Sequence, residues 1–353
     1  MFQIVGPSTL RCGLSPDLRG IVESVKHIPA GVNFVEVEHR GYSGPGANLI
    51  RIGARNSHFR PLIESFATNG WFVYKSDGAM STLVRAAAIP DLWHRIKNGE
   101  YSVDSRGTVY SINDENVVDK AISLVVVFSS MSLPFDAPGL SRYFEQNFAS
   151  INRHLGAGVV ILRIADIDGV VGGFYSPTSF APDRISRVQA LIREVVNQYA
   201  ISSGRVLLYG GSKGGSGALL HALRSSDGWR CVAVDPVVDD EYYETRYSDS
   251  HWTSGEVFLE RKSDLFARAA EEYIAEPGSA RIAIVTSPRS PLFGSVERLA
   301  AKIPPHSLLL ASSNDPLIKD HPDVSGRTLR FVTGLLNVWS AGLKVPADRL
   351  AID

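Results

Sequence analysis

Gly210-Gly211-Ser212-Lys213-Gly214 is a G-x-S-x-G sequence, and Ser212 is the residue of this chain best placed for nucleophilic chemistry. A serine hydroxyl is a weak nucleophile until a base takes its proton and a third group orients that base. Chains built on this pattern order the partners as nucleophile, acid and histidine, with the histidine after the last strand. Downstream of Ser212 lie His221, His251, His306 and His321. His221 falls in the helix expected to follow the serine and faces away from the turn. His306 precedes a strand, at the wrong end of a sheet. His321 follows the last apolar strand by a short polar loop and precedes a helix. It is the expected base, with His251 as the alternative.

The acid is less plainly marked. The segment after the next-to-last strand reads Ser287-Pro288-Arg289-Ser290 and has no carboxylate. Asp235 ends the strand that follows the serine's helix, so its side chain is expected on the same rim; it is the preferred acid. Asp315, in the loop that also carries His321, is the alternative. Each precedes a proline, so each also suits a turn. Asp320 and Asp323 flank His321 too closely to orient its ring easily. An oxyanion hole needs two backbone N–H donors. The expected pair is Lys213, directly after the nucleophile, with Ser130 or Met131 from the loop after the first strand of the run. The Lys213 side chain is expected in solvent, with contact to an anionic substrate as the alternative. A phosphate cradle does not fit, because Lys213 is followed by Gly214 and not by Ser or Thr.

These residues need a strand, a sharp turn and a helix. Val206, Leu207, Leu208 and Tyr209 form a short apolar run, as a buried parallel strand does. Residues 218–223 read as helix. Only residues without a Cβ fit two places either side of a crowded serine turn, which accounts for Gly210 and Gly214. From about residue 121 the chain alternates. Strands are expected at 122–128, 158–164, 206–209, 231–235, 281–286 and 307–311. Helices are expected within 141–155 and at 265–274, 295–303 and 329–339. Another starts near Asp183, with a stripe of Ile185, Val188, Leu191, Ile192, Val195, Val196 and Tyr199. That alternation implies a doubly wound, mostly parallel sheet, whose functional residues gather at the carboxyl ends of the strands. Residues 1–120 read as an N-terminal α+β region that packs on, or lids, the rest. Strands are expected there at 33–38, 49–52 and 71–75, a helix at 60–69, and a hairpin over 100–112 turning at 104–107.

Composition bounds the partners. The chain has 353 residues, 44% hydrophobic and 21% charged, enough for one large core with a smaller appended region. A net charge of -1 gives no footprint for nucleic acid or an anionic membrane surface. No apolar run approaches the length of a membrane span, and the start lacks the pattern of a secretory signal. Cys12 and Cys231 stand far apart, which fits a reducing, cytoplasmic setting without a structural disulfide. This chemistry calls for no cofactor and no metal.

Several motifs resemble the XcbB/CpsF group of capsular-polysaccharide biosynthesis proteins and, more distantly, the acetyltransferase-like component of the bacterial accessory secretion system. They are the strand ending in Phe128-Ser129-Ser130-Met131, Arg142-Tyr143-Phe144, Gly172-Gly173-Phe174-Tyr175, Ser212-Lys213-Gly214-Gly215, and Asp235-Pro236 followed by Asp239-Asp240-Glu241-Tyr242-Tyr243. The likeness covers about residues 60–335, and the Ser-Lys-Gly-Gly turn is its most specific part. It implies an α/β-hydrolase-like fold with an N-terminal α+β extension, acyl-transfer chemistry, and Ser212 and His321 as nucleophile and base. For the secretion relatives it implies O-acetylation of a sugar. The chain departs from those relatives at the acid. Two functions follow for test. One is a serine acyltransferase or esterase acting on a small molecule or glycan that carries or accepts an acyl group. The other is a non-catalytic scaffold or chaperone that kept the fold and lost the acid.

Overall fold

The computed structural model describes residues 2–42, 44–275 and 279–352. Two sheets organise it. The smaller contains β1 (Gln3–Gly6), β2 (Thr9–Gly13), β3 (Phe34–Glu38), β4 (Trp71–Asp77) and β5 (Met80–Arg85), in the order β1-β2-β3-β5-β4. The larger contains β6 (Ser102–Val103), β7 (Val109–Asn113), β8 (Ser123–Phe128), β9 (Val159–Ile164), β10 (Val206–Gly211), β11 (Arg230–Val234), β12 (Ile282–Thr286), β13 (Leu308–Ser313) and β14 (Asp348–Ile352). Its order is β14-β13-β12-β11-β10-β8-β9-β7-β6, parallel from β14 to β9 and antiparallel from β9 to β6.

The central parallel strands β8 to β13 are buried and mostly apolar, as strands covered by helices on both faces are. Successive side chains point to opposite faces. Leu124, Val126 and Phe128 of β8 join Leu191, Ile192, Leu219 and Leu220 on one side. Val125 and Val127 join Leu335, Leu336 and Trp339 on the other. Helix Arg184–Gln198 buries Val188, Leu191, Ile192 and Val195, the expected stripe. Its N-cap, Asp183, makes no side-chain cap bond and pairs with Arg187 instead. The smaller sheet has its own core, which also takes in Val170, Val171 and Trp252 from loops of the larger unit. Cys12 and Cys231 are buried and free. Among the described residues no helix is long and apolar enough to cross a membrane.

Three expectations about elements are corrected, and one further strand is found. Residues 49–52 belong to helix Leu49–Arg55, not a strand, because the Asn48 side chain caps it by accepting from the Arg51 N–H at 3.1 Å. The segment 141–155 holds two short 3-10 turns, Leu140–Tyr143 and Ile151–His154, in place of a helix. There the buried Arg142 guanidinium donates to the carbonyls of Val73, Gly139 and Val170 and fixes an irregular path. The hairpin expected within the N-terminal region does form, with Gly107 N–H donating to Asp104 O at its turn, but β7 pairs with β9 and extends the large sheet. Finally β14, whose residues are mostly exposed, adds an unexpected parallel edge strand beside β13.

Candidate active site

β10 ends at Gly211 and a helix begins at Lys213, so Ser212 sits alone in the turn at φ 54°, ψ −123°. A side chain held in that region costs about 1–3 kcal/mol and persists only where its surroundings enforce it. The enforcement is visible. A Cβ on Gly210 would lie 2.2 Å from the Gly214 carbonyl, and one on Gly214 would lie 2.4 Å from Phe128 O. The Ser212 N–H donates to Val234 O at 2.9 Å, stapling the turn to β11. Ser212 itself is half-buried amid fully buried neighbours.

His321 opens helix His321–Arg327, and its Nε2 lies 2.7 Å from Ser212 Oγ. Its Nδ1 lies 2.7 Å from Asp235 Oδ2. A carboxylate only accepts, so Nδ1 carries the proton and Nε2 presents its lone pair to the serine hydroxyl. Asp320 and Asp323 hold the backbone around His321, not its ring. The Asp320 carboxylate accepts from the His321 N–H at 2.8 Å, and Asp323 accepts from the N–H groups of Lys319 and Asp320.

Asp235 follows β11 at φ 43°, another left-handed position, and its N–H donates to Val285 O at 2.7 Å. Only 1% of its surface is exposed. Thr286 Oγ1 donates to Oδ1 and Ser290 Oγ to Oδ2, both at 2.6 Å. Thr286 ends β12 and Ser290 lies in the segment after it, where the sequence lacks a carboxylate. β12 lies between β11 and β13, so Asp235 reaches across the end of β12 to the histidine that follows β13. Buried carboxylate oxygens need such donors.

Among the described residues no hydrogen bond brings Asp315 to this site; its carboxylate accepts from the Leu317 N–H at 2.8 Å within its own turn. His251 packs on Phe135, ring centroids 3.9 Å apart, and on Tyr247. His221 is fully buried, with Nε2 3.2 Å from Tyr175 O, and burial pushes its pKa down to about 4. His306 lies in the turn that leads into β13. The Lys213 side chain corrects both readings made of it. It reaches neither solvent nor the cavity, but is fully buried with Nζ 2.9 Å from Asp166 Oδ2. Its amide lies in the first turn of the helix, where N–H groups have no partner within the helix. Ser130 Oγ donates to Gly211 O at 2.9 Å and ties the loop after β8 to the elbow.

A cavity of about 300 Å³ opens over Ser212, with Met131, Asn147, Tyr242, Tyr243, Tyr247 and His251 among its walls. Burial pushes the Tyr243 phenol well above its ordinary value. From the sequence alone Tyr243 and Thr286 have no role, and Ser290 stands only in a segment without a carboxylate. The signal for the hydroxyls was their position at the usual place of the acid. Tyr243 was marked only as the end of the Asp239–Tyr243 motif, with no role attached. Chemically, the arrangement can transfer the serine proton to a histidine and hold the resulting cation against a buried carboxylate.

No family model matches the chain, and no curated protein matches it. Solved structures do. A 2,6-dihydroxy-pseudo-oxynicotine hydrolase is similar at 16% identity and TM-score 0.50, over 85% of this chain and 87% of that one. A glycosylation-associated protein complex from Streptococcus agalactiae is similar at 17% identity and TM-score 0.47, over 73% of this chain and 48% of that one. The capsule O-acetyltransferase of Neisseria meningitidis serogroup A is similar at 15% identity and TM-score 0.46, over 66% of this chain and 92% of that one. The chain has a fold of the α/β-hydrolase type.

Proposed function

We propose that this α/β-hydrolase-type chain is a serine-dependent acyl-transfer enzyme, with Ser212 as nucleophile, His321 as general base and acid, and Asp235 as the acid of the triad. The observation that carries the reading is the unbroken line of two 2.7 Å contacts from Ser212 Oγ through the His321 ring to Asp235. In the reaction His321 Nε2 takes the proton as Ser212 Oγ attacks the carbonyl of an ester, thioester or amide. The tetrahedral oxyanion is received by the amide of Lys213 and by that of Ser130 or Met131. The carbon–leaving-group bond then breaks as His321 returns its proton to the leaving group, leaving an acyl-serine. A hydroxyl, an amine or water enters by the reverse path. Of these acceptors, a sugar hydroxyl is the one favoured by the motifs that resemble capsular-polysaccharide proteins.

The scaffold reading rested on the missing carboxylate after β12. The Asp235 carboxylate, which follows β11 and lies 2.7 Å from His321 Nδ1, supports the catalytic reading over the scaffold. The test is hydrolysis of p-nitrophenyl acetate by the full chain and by Ser212→Ala. The variant should fold as wild type does and lose at least about 10³-fold in turnover. Full activity in a folded Ser212→Ala protein removes the serine mechanism.

A further inference from the structure

The Lys213 and Asp166 side chains form a buried ion pair, with neither exposed at all. Burying two charges is costly unless their remaining bonding capacity is filled. Here it is filled in an informative way. Lys213 Nζ also donates to Val171 O at 3.3 Å. Asp166, just beyond the end of β9, accepts from Phe174 N–H at 2.9 Å and from Tyr175 N–H at 3.3 Å. Phe174 and Tyr175 both take left-handed φ values, 56° and 57°, which the two bonds help to hold. The Tyr175 hydroxyl in turn accepts from Ser129 N–H at 2.6 Å and donates to Ile164 O at 2.7 Å.

The two ends of this network are significant. Lys213 directly follows the nucleophile. Ser129 directly precedes Ser130 and Met131. One buried assembly therefore grips both segments whose amides face the reacting carbonyl in the reaction above. We propose that Asp166 and Tyr175 are positioning residues that set the spacing of the oxyanion-binding amides, Asp166 through the Lys213 side chain and Tyr175 through Ser129. This rests on the serine acyl-transfer reading. Gly172 belongs to the same device. A Cβ there would lie 2.3 Å from Lys213 Nζ and 2.4 Å from Asp166 Oδ2, so the loop passes the pair only without a side chain.

Oxyanion stabilisation depends on donors fixed in advance, and a misplacement of about 1 Å costs on the order of 10²-fold in rate. The experiment is inactivation of the full chain by an alkyl fluorophosphonate, resolved into the binding constant KI and the chemical rate kinact. Tyr175→Phe keeps the ring and removes the acceptor for Ser129. Asp166→Asn removes the partner of Lys213. Because a lone buried lysine endangers folding, the double variant Asp166→Asn with Lys213→Met removes the pair together. For each folded variant kinact should fall by about 10²-fold, with KI within about twofold of wild type. Labelling should still reach one per chain at long times. A purely structural role would instead lower the melting temperature and the labelled fraction while leaving kinact of the folded fraction unchanged, and that result overturns the proposal. If folded wild type is not labelled at all, the Ser212 reading fails and the positioning proposal with it. If wild type is labelled and the variants match its rate, only the positioning proposal fails.

Discussion

Asp235→Asn is the sharpest single perturbation of the site. Asp235 is buried, and its oxygens receive Thr286, Ser290 and the His321 ring. Asparagine fits the same space, so the unfolding free energy should change by less than about 2 kcal/mol, the scale of one or two altered hydrogen bonds. The catalytic effect is much larger. When His321 becomes a cation, it faces a carboxylate oxygen 2.7 Å away. At an effective dielectric constant of about 20, that attraction is worth about 6 kcal/mol. Asparagine keeps a dipole but no charge. If its amide nitrogen takes the place of Oδ2, it donates to Nδ1 and forces the proton onto Nε2, the wrong tautomer for accepting from Ser212. With about 1.4 kcal/mol per tenfold, turnover should fall by about 10³- to 10⁴-fold. The assay is steady-state hydrolysis of p-nitrophenyl acetate beside a thermal melt, with Asp315→Asn as the comparison. Asp315→Asn should stay within about threefold of wild type, because its carboxylate serves a surface turn. An Asp235→Asn protein within tenfold of wild type, or a larger loss in Asp315→Asn, refutes the reasoning.

Three further outcomes follow from the same geometry. Tyr243→Phe removes one hydroxyl from the wall of the cavity over Ser212 and should lower turnover by about tenfold at most without shifting the melt, as read by the same kinetics. Gly214→Ala would drive a Cβ to 2.4 Å from Phe128 O; backbone cannot yield cheaply, so a loss of at least about 3 kcal/mol or of soluble protein is expected in thermal unfolding. His221 is neutral in the fold, its pKa lowered by burial from 6.5 to about 4, so the unfolded chain takes up its proton first as the pH falls. That costs stability from about pH 6.5 downward, reaching about 3 kcal/mol at pH 4, and the loss between pH 7 and pH 4 should be smaller by about that amount in His221→Gln, measured by denaturant titration.

What could be read from the sequence was what local physics decides. The elbow showed itself because Gly210 and Gly214 are demanded by atoms within a few residues or by the adjacent strand. The helix over 184–198 showed itself through its periodic stripe. Residues 49–52 misled because a four-residue apolar run fits a strand and a capped helix equally well. Segment 141–155 misled because Arg142 is held by carbonyls at Val73 and Val170, far away in sequence. The choice between Asp235 and Asp315 needed the order β11-β12-β13, which a single sequence does not display. The buried state of Lys213 depends on Asp166, 47 residues earlier, and no pattern around the serine announces it.

The central claim is that Ser212 is an activated nucleophile. Mass spectrometry of the full chain after treatment with an alkyl fluorophosphonate tests it most directly. The account predicts a single adduct per chain, mapped to the peptide bearing Ser212, and none in Ser212→Ala. A folded wild-type chain that stays unlabelled, or carries the adduct on another residue, would contradict it.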